Sequence, residues 1–173
     1  MQVTRPDPIG FLLGDDRFEF FIVGDGQEAT VVEKFCAAHP KAALRWVRKW
    51  QSPAELNDLL NSAHVCLGVF GGDGKAARVL PFKLYLYLAQ GRAVITQSDM
   101  SLPQGAPFPP VVGVDWEQPE QITSALLAME RQPAWRNKME REARAYFETY
   151  LSNACVVDAW LELLIELKKQ QRN

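Results

Sequence analysis

The chain has 173 residues, 47% hydrophobic and 23% charged, enough for one buried core and close to the usual size of a single domain. Nineteen Lys and Arg against twenty-one Asp and Glu leave a net charge of -2 and a pI near 5.7, so no general field draws nucleic acid or an anionic membrane to the surface. A transmembrane helix needs roughly 20 apolar residues; the longest apolar run here, Val156 to Leu167, is broken by Asp158, Glu162 and Glu166, and the opening MQVTRPDPIG has no apolar stretch behind a basic start. A soluble, cytoplasmic protein is the expectation. Cys36, Cys66 and Cys155 are odd in number and far apart, which predicts reduced and mostly buried thiols rather than disulfides or a zinc cage. His39 and His64 are not grouped with other ligands, so no metal or other cofactor is expected.

In chain order, apolar runs of strand length fall at Phe18 to Val23, Leu44 to Val47, Val65 to Phe70, Ala93 to Thr96 and Val111 to Val114. Stretches with helical spacing lie between them. Ser52-Pro53-Ala54-Glu55 supplies a hydroxyl N-cap, a proline at the first helical position and a carboxylate at the third, and Leu56, Leu59, Leu60 and Ala63 then form one stripe. A helix begins near Pro81 and ends before Gly91, a C-cap glycine. Ser98 to Pro110 carries Pro103, Pro107, Pro109 and Pro110, so it reads as a surface loop. Three helices follow. The first runs from Pro119 to about Arg131 with Ile122, Leu126 and Met129 inward. The second runs from about Ala134 to Leu151 on Trp135, Met139, Ala143, Phe147 and Tyr150, with Arg136, Lys138, Glu140, Arg141 and Arg144 forming a solvated face. The third, about Ala154 to Lys169, puts Val156, Val157, Trp160, Leu161, Leu164 and Leu167 on one side, to pack on the sheet or on a partner. Near-continuous apolar strands alternating with helices predict an α/β fold, a doubly wound parallel sheet with C-terminal helices, in one domain spanning 1–173.

Ligands of an open α/β sheet bind beyond the carboxyl ends of its strands. Phe20 to Val23 runs into Gly24-Asp25-Gly26-Gln27-Glu28-Ala29, which fits G-x-G-x-x-A. A dinucleotide site expects an acidic residue some 20 positions later, yet Arg45, Trp46, Arg48 and Lys49 stand there. Those arginines could read a 2′-phosphate, or the glycines could serve a tight turn alone. Val65 to Phe70 runs into Gly71-Gly72-Asp73-Gly74-Lys75, and Arg78 and Lys83 add positive charge beside the helix that starts near Pro81. Val69 and Ala76 occupy positions where a P-loop needs glycine and a magnesium-binding hydroxyl, which excludes that type of ATPase. A flexible loop with solvated lysines is the other reading.

Taken together, Phe18 to Gly26, the Ser52-Pro53-Ala54-Glu55-Leu56 helix, Ala63 to Gly71, then Lys75, Pro81, Lys83 and Leu88 to Thr96 resemble the C-terminal domain of GT-B glycosyltransferases of family 4, the group 1 glycosyl transferases. The likeness continues through Asp115 to Leu127 and covers nearly the whole chain from Phe18. It implies a Rossmann-like half that binds a nucleotide-diphosphate sugar as donor substrate, with metal-independent sugar transfer. By matched positions Gly24 and Gly26 would line the nucleotide, Arg45 and Val47 would lie beside the base, and Gly71, Gly72, Asp73, Gly74, Lys75, Arg78 and Lys83 would surround the diphosphate and sugar. Positive groups there suit a leaving diphosphate, whose charge grows in the transition state.

The family's paired glutamates fall at Arg78 and Leu86, so neither carboxylate is present. The family's first strand, which would be central, has no counterpart in residues 1 to 17, nor has the acceptor-binding N-terminal half. The resemblance thus implies a glycosyltransferase half, with catalytic residues unknown, that is inactive as an isolated chain. It would work with an N-terminal GT-B half, another protein chain or further copies of itself. A non-catalytic interaction domain that keeps the GT-B half fold is the alternative, and an NADP-type module built on Gly24 to Ala29 with Arg45 and Arg48 is a third.

Overall fold

The computed structural model describes residues 10–71 and 74–170. Among the described residues, β1 (Phe20–Val23), β2 (Leu44–Val47), β3 (Val65–Leu67) and β4 (Ala93–Gln97) alternate with α1 (Ala29–Ala38), α2 (Pro53–Ser62) and α3 (Phe82–Ala89); β5 (Val112–Val114) follows β4 through the proline-rich loop with no helix between, and α4 (Glu120–Arg131), α5 (Pro133–Tyr146) and α6 (Asn153–Gln170) come after it. The fold is α/β with parallel strands only among the described residues. The strands form two sheets, β1-β2 and β3-β4-β5, where the sequence predicts one. In the first, Phe20 faces Leu44 and Val23 faces Val47; in the second, Cys66 faces Val94 and Ile95 faces Val112.

Several boundaries differ from the apolar runs for visible reasons. Phe18 and Glu19 lie outside β1, because the Phe18 amide closes a turn onto the Asp15 carbonyl at 2.9 Å. β3 ends at Leu67; beyond it the Gly68 amide still donates to the Ile95 carbonyl at 2.8 Å and the Val69 carbonyl accepts the Gln97 amide at 3.0 Å, while the Val69 amide turns to the Thr96 hydroxyl. α5 stops at Tyr146 and the chain continues as a π turn over Phe147–Leu151. That turn changes the helical phase, so Tyr150 is exposed while Tyr146 and Leu151 are buried.

The α2 start follows the sequence closely. Ser52 Oγ accepts the Glu55 amide at 3.2 Å and the Glu55 carboxylate accepts the Ser52 amide at 2.8 Å, a reciprocal capping box. Of the predicted stripe, Leu60 alone is buried; Leu56, Leu59 and Ala63 are half-buried. At the other end of α3, Gly91 adopts φ +59, and the Arg144 guanidinium donates to the terminal Ala89 carbonyl.

The β3-β4-β5 sheet separates two clusters. On one face Ala93, Ile95 and Val114 meet Leu12, Ile122, Ala125, Leu126, Met129 and Met139, with Phe18, Phe20, Val65 and Leu67 packed against them. On the other, Cys66 and Val94 meet Leu60, flanked by Leu56, Leu86 and Tyr87. A third cluster joins Leu84 and Leu88 of α3 to Ala143, Tyr146 and Leu151. Each fully buried Leu or Ile contributes about 1.5–3 kcal/mol. The Tyr146 hydroxyl donates to the Pro107 carbonyl at 2.7 Å, pinning the proline-rich loop to α5.

Three expectations from the sequence change. Cys66 is buried, but Cys36 and Cys155 are only partly covered. Arg136, assigned to the solvated face of α5, is half-buried, and its Nε is enclosed without a hydrogen-bond partner. The apolar side of α6 packs on neither sheet: no residue of that helix is buried, and Val156, Val157, Trp160, Leu161, Leu164 and Leu167 are all exposed. The helix is started by Ser52-like chemistry at Ser152, whose Oγ accepts the Cys155 amide, and ends on Lys168 and Lys169. No helix among the described residues is long and apolar enough to cross a membrane.

Candidate functional site

Strand ends create two groups of predicted site residues. At the end of β1, Gly24 holds φ +118 with open space where a Cβ would stand, so the backbone angle rather than crowding calls for glycine. Its carbonyl accepts the Trp46 indole N–H at 2.9 Å, which ties this turn to β2. Gly26 is exposed and opens the turn into α1, where the Ala29 amide donates to its carbonyl at 3.0 Å. Glu28 stands at the N-cap of α1 without a side-chain hydrogen bond to the helix.

The cations beside this turn are not equivalent. The Arg48 guanidinium lies over the Trp46 ring, 4.4 Å from its centroid, and pairs with Glu33 at 2.6 Å and Asp25 at 3.4 Å. Its pKa is raised, chiefly by the hydrogen bond to Glu33. Arg48 is thus already neutralised by two carboxylates, which removes one of the two cations that a 2′-phosphate reading needs. Arg45 is exposed, rests 6.0 Å from the Phe21 ring centroid and has no ion pair among the described residues. Val47, half-buried, faces Val23 across the ladder.

The second group follows β3. A Cβ on Gly68 would come within 2.5 Å of Thr96 Oγ1 and 3.2 Å of Leu84 Cδ1, so only glycine lets this strand end lie on β4 and α3. One residue on, Thr96 Oγ1 accepts the Val69 amide and donates to the Val69 carbonyl, both at 3.2 Å. The chain leaves the sheet from that fixed point. Gly71 is exposed; Gly72 and Asp73 lie outside the described residues; Gly74 leads into a short 3-10 helix, Lys75–Arg78. The Lys75 side chain is likewise outside the described set. Arg78 is exposed, as is Lys83 in the first turn of α3 behind the N-cap Pro81, and neither has an ion pair among the described residues.

Gly24, Trp46, Arg48, Asp25 and Glu33 are therefore one connected group, and Gly68, Val69, Thr96 and Leu84 another. Among the described residues no hydrogen bond or ion pair links the two. Two surface concavities lie elsewhere. One, of about 650 Å³, is bordered by Gly91, Arg92, Glu140, Arg141 and Arg144; the other, about 490 Å³, lies between α6, Tyr85 and the proline-rich loop.

Sequence reasoning passed over Thr96 as a site-forming residue, treating it as the end of an ordinary buried strand. Its signal was a lone hydroxyl closing an otherwise apolar run. The Asp25 and Glu33 partners of Arg48 had no such signal, because they come from a turn and a helix 23 and 15 residues away. Neither a protein-family model nor a curated protein matches this chain.

Proposed function

We propose that this chain is the donor-side half of a GT-B glycosyltransferase, a Rossmann-like domain that binds a nucleotide-diphosphate sugar beyond the carboxyl ends of β1 and β3. The observation that carries the reading is the exit from β3. The sequence Gly71-Gly72-Asp73-Gly74 follows a strand end fixed by Gly68 and Thr96, and Arg78 in the short 3-10 helix and Lys83 in the first turn of α3 are exposed and without an ion pair among the described residues. Glycines let the backbone approach a diphosphate, and the cations offset its charge. Arg45, without an ion pair among the described residues, is the cation for the base side, whereas Arg48 is committed to Glu33 and Asp25. With Leu86 and Arg78 where the paired glutamates would stand, the isolated chain transfers no sugar.

The test is the thermal midpoint with saturating UDP, GDP and ADP. A ligand at 100 times its Kd adds about 2.7 kcal/mol, which for this size is roughly 5–10 °C. One nucleotide should raise the midpoint, and Lys83→Ala should reduce the rise. No shift with any of the three overturns the reading.

The alternative, a non-catalytic interaction domain, is favoured by one observation: α6 presents Trp160, Leu161 and Leu164 to solvent, at 50–62% exposure. It predicts no nucleotide response and an unchanged result when Leu86→Glu restores one carboxylate.

A further inference from the structure

α6 carries large apolar side chains around much of its circumference and buries none of them. Val156, Ala159, Trp160 and Leu163 line the concavity beside Tyr85 and Pro103. At about 100° per residue, Val157, Leu161 and Leu164 form a separate stripe, about a third of a turn away from the concavity, and they stand 50–54% exposed. Asp158 and Lys169 are about three helical turns apart, so they border this stripe on the same edge, one towards each end. Both are exposed, and neither has an ion pair among the described residues. A stripe with a carboxylate at one end of an edge and an ammonium at the other end of the same edge is complementary to its own reversed copy.

We infer that this stripe is the contact through which two copies of the chain pair, α6 against α6, antiparallel about a two-fold axis. A two-fold perpendicular to the helices brings the same edge of each together. Asp158 of each copy then meets Lys169 of the other, and Val157, Leu161 and Leu164 pack across the seam. Parallel pairing would set this edge against the Trp160 edge and leave both charges without a partner. The two-fold also closes the assembly at two copies, with no stripe left over to recruit a third. The contact is small: each helix has 18 residues and is about 27 Å long, whereas a standard stable interface buries about 800 Å² per partner. Pairing therefore belongs to high concentration. At low micromolar concentration the chain is a monomer with α6 uncovered, and pairing changes nothing in the fold of either copy. The inference does not depend on nucleotide-sugar binding.

The experiment is sedimentation equilibrium of the full chain at low salt, from low micromolar to near-millimolar concentration. The mass should rise from 19.5 kDa towards twice that value. Asp158→Lys and Lys169→Glu each set like charges opposite one another at both ends of the seam, so each should raise the dimer dissociation constant by about tenfold. An equimolar mixture of these two variants should recover the parent affinity, because each then supplies the charge that the other lacks at both ends. Leu161→Lys should abolish pairing. All three substitutions fall at exposed positions of a helix that buries no residue, so the fold of each variant is retained. A mass of 19.5 kDa at every concentration overturns the inference and assigns the stripe to a different occupant. So does a dimer that the charge reversals leave unchanged, which would be parallel or use another surface. A mixture no tighter than either variant alone, or a mass that climbs beyond two copies, also overturns it.

Discussion

The Thr96 hydroxyl clasps both backbone groups of Val69, accepting its amide and donating to its carbonyl at 3.2 Å. Thr96 is fully buried on β4, and Val69 is the second residue beyond β3, so this side chain, together with the Gln97 amide that donates to the Val69 carbonyl at 3.0 Å, holds the chain where it leaves the sheet. Thr96→Val keeps the shape and leaves both groups of Val69 without that partner. It should cost about 1–3 kcal/mol, read as a lower urea midpoint. Gly68→Ala next to it would press a methyl to within 2.5 Å of the same hydroxyl and should cost about 1–3 kcal/mol by overpacking. If both variants are as stable as the parent, the strand end is not fixed in this way.

Alkaline pH should destabilise the protein through two acids, the buried Cys66 thiol and the half-buried Tyr87 phenol. Burial pushes the Cys66 thiol from 9.0 up to about 12, and burial likewise pushes the Tyr87 phenol from 10.0 up to about 12. The folded chain therefore retains protons that the unfolded chain releases. Stability from this source is intact below about pH 9 and falls as pH rises towards about 12. Urea midpoints measured across that range should decline, and less steeply for Cys66→Ala. A thiol reagent at neutral pH should modify the partly covered Cys36 and Cys155 well before Cys66.

The last helix contributes almost nothing to the stability of the rest. Because α6 buries no residue, Leu161→Lys and Leu164→Lys should each change the unfolding free energy by no more than about 0.5 kcal/mol. Leu84→Ala, in a fully buried position of α3, should cost about 2–5 kcal/mol. A core-sized loss from either lysine variant would mean that α6 is packed in solution. Both variants should also lower any tendency to aggregate, since they interrupt a contiguous exposed apolar surface.

Local chemistry made much of the fold readable from the sequence. The Ser52-Pro53-Ala54-Glu55 box starts α2 as its residues require, Ile122, Leu126 and Met129 line the inner side of α4, and Gly91 takes the left-handed angle after α3. Each of the five apolar runs overlaps a strand, although burial on both faces accounts for the run only at β4, whose five residues are all buried, while β1 exposes Phe21 and Val23 and β2 exposes Arg45. What the sequence left open depends on which distant segments meet. Whether β1 lies beside β3 is a pairing question on which two similar apolar runs are silent, and only the tertiary structure divides the strands into two sheets. Arg45 and Arg48 look alike in sequence, yet Arg48 pairs with Glu33 and Asp25 while Arg45 has no ion pair among the described residues. The α6 stripe has the same periodicity as a buried helix, and its exposure follows from the absence of any packed surface opposite it among the described residues. Periodicity determines which face of an element can be buried; the contacts between elements determine whether it is.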